Sequence, residues 1–341
     1  MHMADALLSP AVGMAMNAAS VAAIGISVAK VRKDELSEKK VPIMGISGAL
    51  VFAAQMVNFA IPGTGSSGHI GGGILLAGLL GGIPAFLSLT AVLIIQCLFF
   101  ADGGLLALGC NIFNMGAVPC LVIYPLVFKP LLKGGANYRR LTAASVLSVV
   151  AGLELGAFCV VLQTLLSGIT ALPFGTFAAL LLPIHLAIGL VEGIATAAVL
   201  CFVHKMRPEL IESAHSGKSL AGAPMKRILI ILAAAAVFIG GALSLFASTQ
   251  PDGLEWAVGR TMKKSIGAEA EPDAGGRIYG VADGAQDSAS PLPDYSFASD
   301  PENAAGTSLS GMIGAAATFA AAGAAGFVIT RIKRRKSKCP T

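Results

Sequence analysis

Ile70-Gly71-Gly72-Gly73-Ile74-Leu75-Leu76-Ala77-Gly78-Leu79-Leu80-Gly81-Gly82-Ile83-Pro84-Ala85-Phe86-Leu87-Ser88-Leu89-Thr90-Ala91-Val92-Leu93-Ile94-Ile95-Gln96-Cys97-Leu98-Phe99-Phe100-Ala101 contains no charged residue. Read as one helix, this run would carry Gly-Gly-x-Pro at its middle, where proline removes a backbone donor and clashes with the preceding turn. About 20 apolar residues already cross a bilayer core. The better reading is a hairpin of a short segment, 70–83, and a full one, 84–101. The apolar residues run on without the alternation of a membrane β-barrel, so the spanning elements are helices.

Working outward, nine such spans are predicted, at approximately 10–29, 41–61, 70–83, 84–101, 105–128, 141–168, 174–203, 228–248 and 308–330. Of the 341 residues, 55% are hydrophobic and 13% charged, against roughly 25% charged in soluble domains. The 41 glycines suit helices whose backbones approach closely. The fold class expected is therefore an all-α polytopic membrane protein. On span one, Ala11, Ala15, Ala19 and Ala23 form a ridge of small residues suited to close helix contact, with a partner protein or within the chain.

Charge gives the topology. Lys30, Arg32, Lys33, Lys39 and Lys40 follow span one; Lys129, Lys133, Arg139 and Arg140 follow span five. Lys205, Arg207, Lys218, Lys226 and Arg227 follow span seven, and six more basic residues lie at 331–338. Nine spans with an outer N-terminus put all of these on the cytoplasmic side, as the positive-inside rule requires. Residues 1–203 then form a seven-helix bundle and 204–227 a basic cytoplasmic linker. A two-helix accessory unit, 228–341, carries an external segment at 249–307. The expected location is the cell (inner) membrane, with the N-terminus and 249–307 outside and the C-terminus cytoplasmic. Because the basic residues flank spans, no nucleic-acid partner is expected; the lipid bilayer is one. Cys97, Cys110, Cys120, Cys159 and Cys201 fall in apolar runs and Cys339 in the basic tail. With no C-x-x-C pair, neither a zinc knuckle nor a disulfide framework is expected.

The chemistry concentrates at two places. The first is Met1-His2-Met3. A free α-amine, the first amide and an imidazole at position 2 can close on one metal ion, and His69 could add a fourth nitrogen. Four nitrogens in a plane suit Ni(II) and are tolerated by Cu(II). The first residues lack a basic stretch and carry Asp5 before the apolar run, so Met1 is expected to persist as the terminus. The second place is the loop Ile61-Pro62-Gly63-Thr64-Gly65-Ser66-Ser67-Gly68-His69, which the topology puts on the same outer face as Met1. Asn111 and Asn114, three apart on one helix face, are candidates for hydrogen bonding to a metal-bound imidazole. Glu154, His185 and Glu192 are costly ionisable groups within spans, read as a polar relay, a coupling contact or structural pairs.

These segments resemble a known family. Met1-His2, the loop pattern Gly-Thr-x-Ser-Ser-x-His-x-x-Gly-Gly, Leu108-Gly109-x-Asn111-x-x-Asn114-Met115-Gly116 and His185-x-x-Ile188-Gly189-x-x-Glu192-Gly193-x-x-Thr196 are similar to the substrate-capture (S) subunit of nickel/cobalt energy-coupling-factor transporters. Pro251-Asp252-Gly253-Leu254-Glu255 resembles the signature of the small accessory subunit of those systems, here fused to the capture subunit. The resemblance implies Met1, His2 and His69 as metal ligands, and Ni2+ or Co2+ as the transported substrate. It also implies a transmembrane coupling (T) subunit and ATPase (A) subunits as partners. The loop departs from the family pattern by an extra Gly68.

No G-x-x-x-x-G-K-[ST] phosphate loop occurs, so ATP hydrolysis by that route is not expected of this chain. The reading is capture of Ni(II) or Co(II) for import, without enzymatic activity. The alternative is a stand-alone metal permease or channel, for which only Glu154, His185 and Glu192 offer a path. A metalloenzyme would need a general base, and Asp5 and Asp102 are the carboxylates near the terminus.

Overall fold

A computed structural model describes every residue except 32–35, 37–38, 218–219, 221–224, 268–274, 301–302 and 337–341. Arg32, Lys33, Lys218, Lys338, Cys339 and part of the 249–307 segment lie outside the described residues. The protein is an all-α polytopic membrane protein.

In chain order its main helices are α1 (Pro10–Lys30), α2 (Val41–Gln55), α3 (Gly73–Leu80), α4 (Gly82–Phe100), α5 (Leu108–Leu131), α6 (Tyr138–Ser167) and α7 (Phe174–Met206). There follow α8 (Pro208–Ser216), α9 (Lys226–Gly241), α10 (Gly253–Ile266), α11 (Arg277–Ala289) and α12 (Ala304–Lys336). A small antiparallel hairpin, β1 (Phe59–Ile61) and β2 (Ser66–Gly68), pairs Phe59 with Gly68 and Ile61 with Ser66.

Each of the nine apolar stretches holds a helix, but among the described residues only six helices are long and apolar enough to cross a membrane: α1, α4, α5, α6, α7 and α12. At 15, 8 and 16 residues, α2, α3 and α9 fall short. The run 41–61 is divided between α2 and strand β1, because the chain must turn back toward the His69 loop. The hairpin expected around Gly81 is present: Gly81 takes φ 89°, a left-handed conformation that frees the chain to restart at once as α4. Pro119 and Pro125 sit inside α5 without ending it, since residues 112–128 are wound wider, as a π-helix.

Packing places the site. α6 and α7 run against each other along much of their length, and α2 is clasped by α9 and α12. The start of α5 crosses α1 so closely that a Cβ on Gly109 would lie 2.3 Å from the Asn17 nitrogen. The rest of α1 faces outward, with Ala11, Ala15 and Ala19 of its small-residue ridge exposed. Gly72, at the entry to α3, takes φ 77°, and a Cβ there would lie 2.4 Å from Val51 Cγ1. Gly72→Ala therefore combines a left-handed backbone with overpacking. It should destabilise the protein by about 2 kcal/mol or more, read as a lowered melting temperature in detergent.

Candidate metal site

Among the described residues, no three His, Cys, Asp or Glu side chains are arranged to hold a metal ion. Main-chain nitrogen is a further donor, and the terminus is positioned to provide it. Residues 1–8 are threaded into the bundle, with Met1 and Met3 buried. Asn111 clamps the Met3 backbone, accepting its N–H at 2.8 Å and donating to its carbonyl at 3.2 Å. Asp5 accepts the Ala107 N–H at 2.8 Å, and the Gly104 N–H reaches the Met3 carbonyl at 3.0 Å. These contacts leave the terminal amine facing the loop.

Met1 N lies 3.2 Å from His69 Nε2 and 2.7 Å from Asp252 Oδ2. Two nitrogens at right angles on a first-row ion, with bonds of about 2.0 Å, sit about 2.8 Å apart, so the observed spacing needs only a few tenths of an ångström. His69 Nδ1 is 3.0 Å from the Ile70 carbonyl. A carbonyl only accepts, so Nδ1 carries the proton and Nε2 turns its lone pair toward Met1. The His2 ring stacks on that of His69, with centroids 5.3 Å apart and planes at 21°. Its Nε2 is 3.1 Å from Gln96 Oε1, and its Nδ1 is 3.1 Å from Asp102 Oδ1. A carboxylate there favours a cation on Nδ1, whether proton or metal.

The loop is anchored from inside the bundle. Glu192, midway along α7 and buried, accepts the Gly71 N–H at 2.7 Å and the Gly72 N–H at 2.8 Å, one on each carboxylate oxygen. The extra Gly68 sits where a Cβ would lie 2.5 Å from Ile188 Cγ1, so the close approach of α7 requires glycine. From outside, the segment after α9 closes over the hairpin. The Ser67 N–H reaches the Pro251 carbonyl at 2.8 Å, and the Trp256 indole donates to the Thr64 carbonyl at 3.0 Å. Pro251-Asp252-Gly253-Leu254-Glu255 is the start of α10. Asp252 Oδ1 accepts the Leu254 and Glu255 N–H groups, and the Glu255 carboxylate accepts the Asp252 N–H, a capping box. One oxygen of Asp252 thus caps a helix while the other holds the terminal ammonium.

The remaining sequence candidates fall variously. Asn111 contacts the main chain beside His2 rather than an imidazole, and Asn114 exchanges hydrogen bonds with Gln163 at 2.8 and 3.0 Å. His185 gives its Nδ1 proton to the Leu181 carbonyl at 2.9 Å and lines a small cavity with Met1, His69, Met115 and Asp252. No hydrogen bond among the described residues links Glu154 to His185 or Glu192, and Glu154 Oε1 is without a hydrogen-bond partner. Gln55 and Gln96 were missed. Their one signal was an amide inside an otherwise apolar run, which in a membrane needs a partner.

Comparison with known proteins bears on this geometry. Residues 2–210 match the family described as the cobalt uptake substrate-specific transmembrane region, and residues 226–331 match the PDGLE domain. A putative fused nickel transport protein of Archaeoglobus fulgidus is 32% identical over 98% of this chain and 99% of its own. A fused nickel transport protein of Rhodobacter capsulatus is 29% identical over 95% and 96%. A crystal structure of a transition metal transporter superposes with a TM-score of 0.53 at 32% identity, covering 63% of this chain and 97% of that one.

Burial lowers the His69 imidazole to about 3, and the nearby terminal ammonium works in the same direction. Burial also lowers His2, against the pull of Asp102. Burial alone would raise Asp252, but the ammonium beside it outweighs that effect and holds the carboxyl well below its ordinary range. For stability the sign follows from His69. The unfolded imidazole takes a proton near pH 6.5, while the folded one declines it until about pH 3. The metal-free protein should therefore lose stability progressively as pH falls through that window. Melting curves across it should show a shallower loss for His69→Gln than for the parent.

Proposed function

The chain belongs to the cobalt uptake substrate-specific transmembrane family, and on that premise we propose that it captures Ni(II), or Co(II), with high affinity outside the membrane for import. It acts as the substrate-specific subunit of an energy-coupling-factor transporter. The observation that carries this reading is the terminal amine seated 3.2 Å from His69 Nε2 with the His2 ring stacked alongside. The ligand set is the Met1 amine, the His2 amide and imidazole, and His69 Nε2. Nickel is favoured because tetragonal nitrogen donors suit it, and copper, which binds more tightly in the affinity order, is excluded by availability. The fusion to a PDGLE domain, which the named nickel transport relatives share by their full-length match, leans the same way.

Binding proceeds by exchange of cations. The metal replaces protons on the Met1 amine and the His2 amide, so affinity falls with acidification. The ion pair between Met1 and Asp252 opens as the amine turns to the metal. His69 brings no proton to displace, because burial already keeps its ring neutral. Asp102, beside His2 Nδ1, offsets the charge of the incoming ion.

Energy comes from elsewhere. With no phosphate-binding loop in the sequence, ATP is hydrolysed by separate ATPase subunits and transmitted through a transmembrane coupling subunit. The exposed alanine ridge of α1 gives that subunit a surface it can approach closely. The N-terminus and the 249–307 segment face outward and the C-terminus is cytoplasmic. The chain divides into a capture domain at 1–203, a basic linker at 204–227 and an accessory unit at 228–341.

Two outcomes test the proposal. Purified protein extended by Gly-Ser before Met1 should lose nickel affinity by more than the roughly 10–100-fold that loss of an outer-shell partner costs. Titration calorimetry reads it, and unchanged affinity sinks the chelate. The chain reconstituted alone in vesicles should load nickel but import none; sustained uptake without ATPase partners would make it a stand-alone permease.

A further inference from the structure

A second cavity, of about 160 Å³, lies at the far end of α3 from the His69 loop. It opens where α3 ends and α4 begins, with α5 and α8 completing its walls, and Lys40 and Lys129 line it. One buried water needs only about 10–15 Å³, so there is room for a larger guest. Lys40, just before α2, is 1% exposed. Lys129, near the end of α5, is half-buried, with its Nζ 5.8 Å over the centroid of the Tyr124 ring. That ring is itself fixed. Its hydroxyl donates to the Ala214 carbonyl at 3.0 Å, and it stacks on Phe128 with centroids 5.4 Å apart.

The charges around this cavity are of one sign. Among the described residues that line it there is no carboxylate, and Glu209 and Glu212 of α8 are exposed. Burial lowers the His215 imidazole on α8, and Lys129 adds to that effect, so no counter-charge comes from there. The 19-residue helix α4 starts at the cavity with no side-chain cap, and its positive end adds to the field of the two lysines. The remaining lining is apolar and faces outward. Ile83 and Leu121 are half-buried and Pro125 is exposed, so this side of the cavity meets the bilayer. On the topology proposed above, both lysines belong to the cytoplasmic set.

We propose that this cavity binds a phosphate group, supplied by an anionic phospholipid headgroup or by free phosphate, between the ammonium groups of Lys40 and Lys129. Two like charges at the edge of a low-dielectric medium repel each other, and an anion between them turns that repulsion into attraction. Lysine binds phosphate as a compact point charge, and basic pockets between membrane helices on the cytoplasmic side suit anionic headgroups. The apolar side of the cavity gives the glycerol and first methylenes of a lipid a surface to lie on. A guest held this way joins three elements that meet here: the start of α2, the start of α4 and the end of α5. It thereby braces the Gly81 turn, on the side of the bundle away from the metal ligands.

Native mass spectrometry of the full-length protein in neutral detergent, with phosphatidylglycerol or phosphatidylcholine of equal chain length, tests the lipid arm. The parent should retain one phosphatidylglycerol under washing that strips phosphatidylcholine. Lys129→Gln should weaken that retention about fivefold, and Lys129→Gln with Lys40→Gln about thirtyfold. Lys30→Gln with Lys205→Gln removes the same charge from two exposed positions and should change nothing. In the second arm, inorganic phosphate is added to lipid-free protein, against chloride at equal ionic strength. A raised melting temperature that Lys129→Gln abolishes identifies free phosphate as the guest; no rise, with phosphatidylglycerol retained, assigns the headgroup. Equal retention of the two lipids together with no effect of phosphate overturns the proposal. So does an equal loss in the Lys30 and Lys205 control, which would mean a diffuse basic collar. Lys129→Gln and the parent comparison decide the matter even if Lys40→Gln fails to fold. Binding in micelles depends neither on metal nor on which leaflet the cavity faces, so the result is independent of the capture reading.

Discussion

The grip of Glu192 on the Gly71 and Gly72 amides is the contact on which the rest of the arrangement depends. A helix that begins inside a bundle leaves its first amides without intrahelical partners, and lipid offers no water to satisfy them. α3 is such a helix, eight residues long and buried throughout. A carboxylate is an apt partner, since the N-terminal end of a helix carries partial positive charge. Two short hydrogen bonds also offset the cost of holding an ionisable group in a span. With Gly71 and Gly72 held, His69 two residues earlier is seated beside the terminal amine, and the Gly71 carbonyl accepts the Gln55 amide at 2.8 Å.

The site is assembled from parts distant in sequence. The terminus is threaded inward by Asn111 and Asp5, the loop is seated by α7, and Pro251 to Glu255 close over both. The nitrogens brought together are the Met1 amine and His69 Nε2, 3.2 Å apart, with the His2 ring stacked alongside. Such a set can be selective without being deep. In the proposed set the donors are few, and burial already keeps the His69 ring neutral. The stacked imidazoles and the two flanking carboxylates, Asp102 and Asp252, hold cationic positions ready for an ion that replaces what occupies them.

Much of this was legible in the sequence, and the failures are instructive. Met1, His2 and His69 could be paired before any coordinates, because charge counting placed them on one face of the membrane. The bounds of the apolar helices were less legible, because hydropathy records how apolar a run is, not where Gly72 or Gly81 lets the helix start or stop. Asn111 was visible as a polar side chain at the right depth, yet its partner, the Met3 backbone, could not be foreseen from helix periodicity. Gln55 and Gln96 stayed unnoticed because a single amide in a span looks the same whether it bridges two helices or orients a ligand. Only the fold brings residues 41 apart in sequence into one hydrogen-bonded path.

Asp252 has a consequence reaching back to the birth of the chain. Its two oxygens are committed, one to the cap of α10 and the other to the ammonium of Met1. A formyl or acetyl group left on Met1 would remove that positive charge. It would leave a carboxylate that the helix still needs without the cation beside it. The first residue and a helix 251 residues away are thus coupled through one carboxylate, so a change in the charge of the amine is felt at the start of that helix.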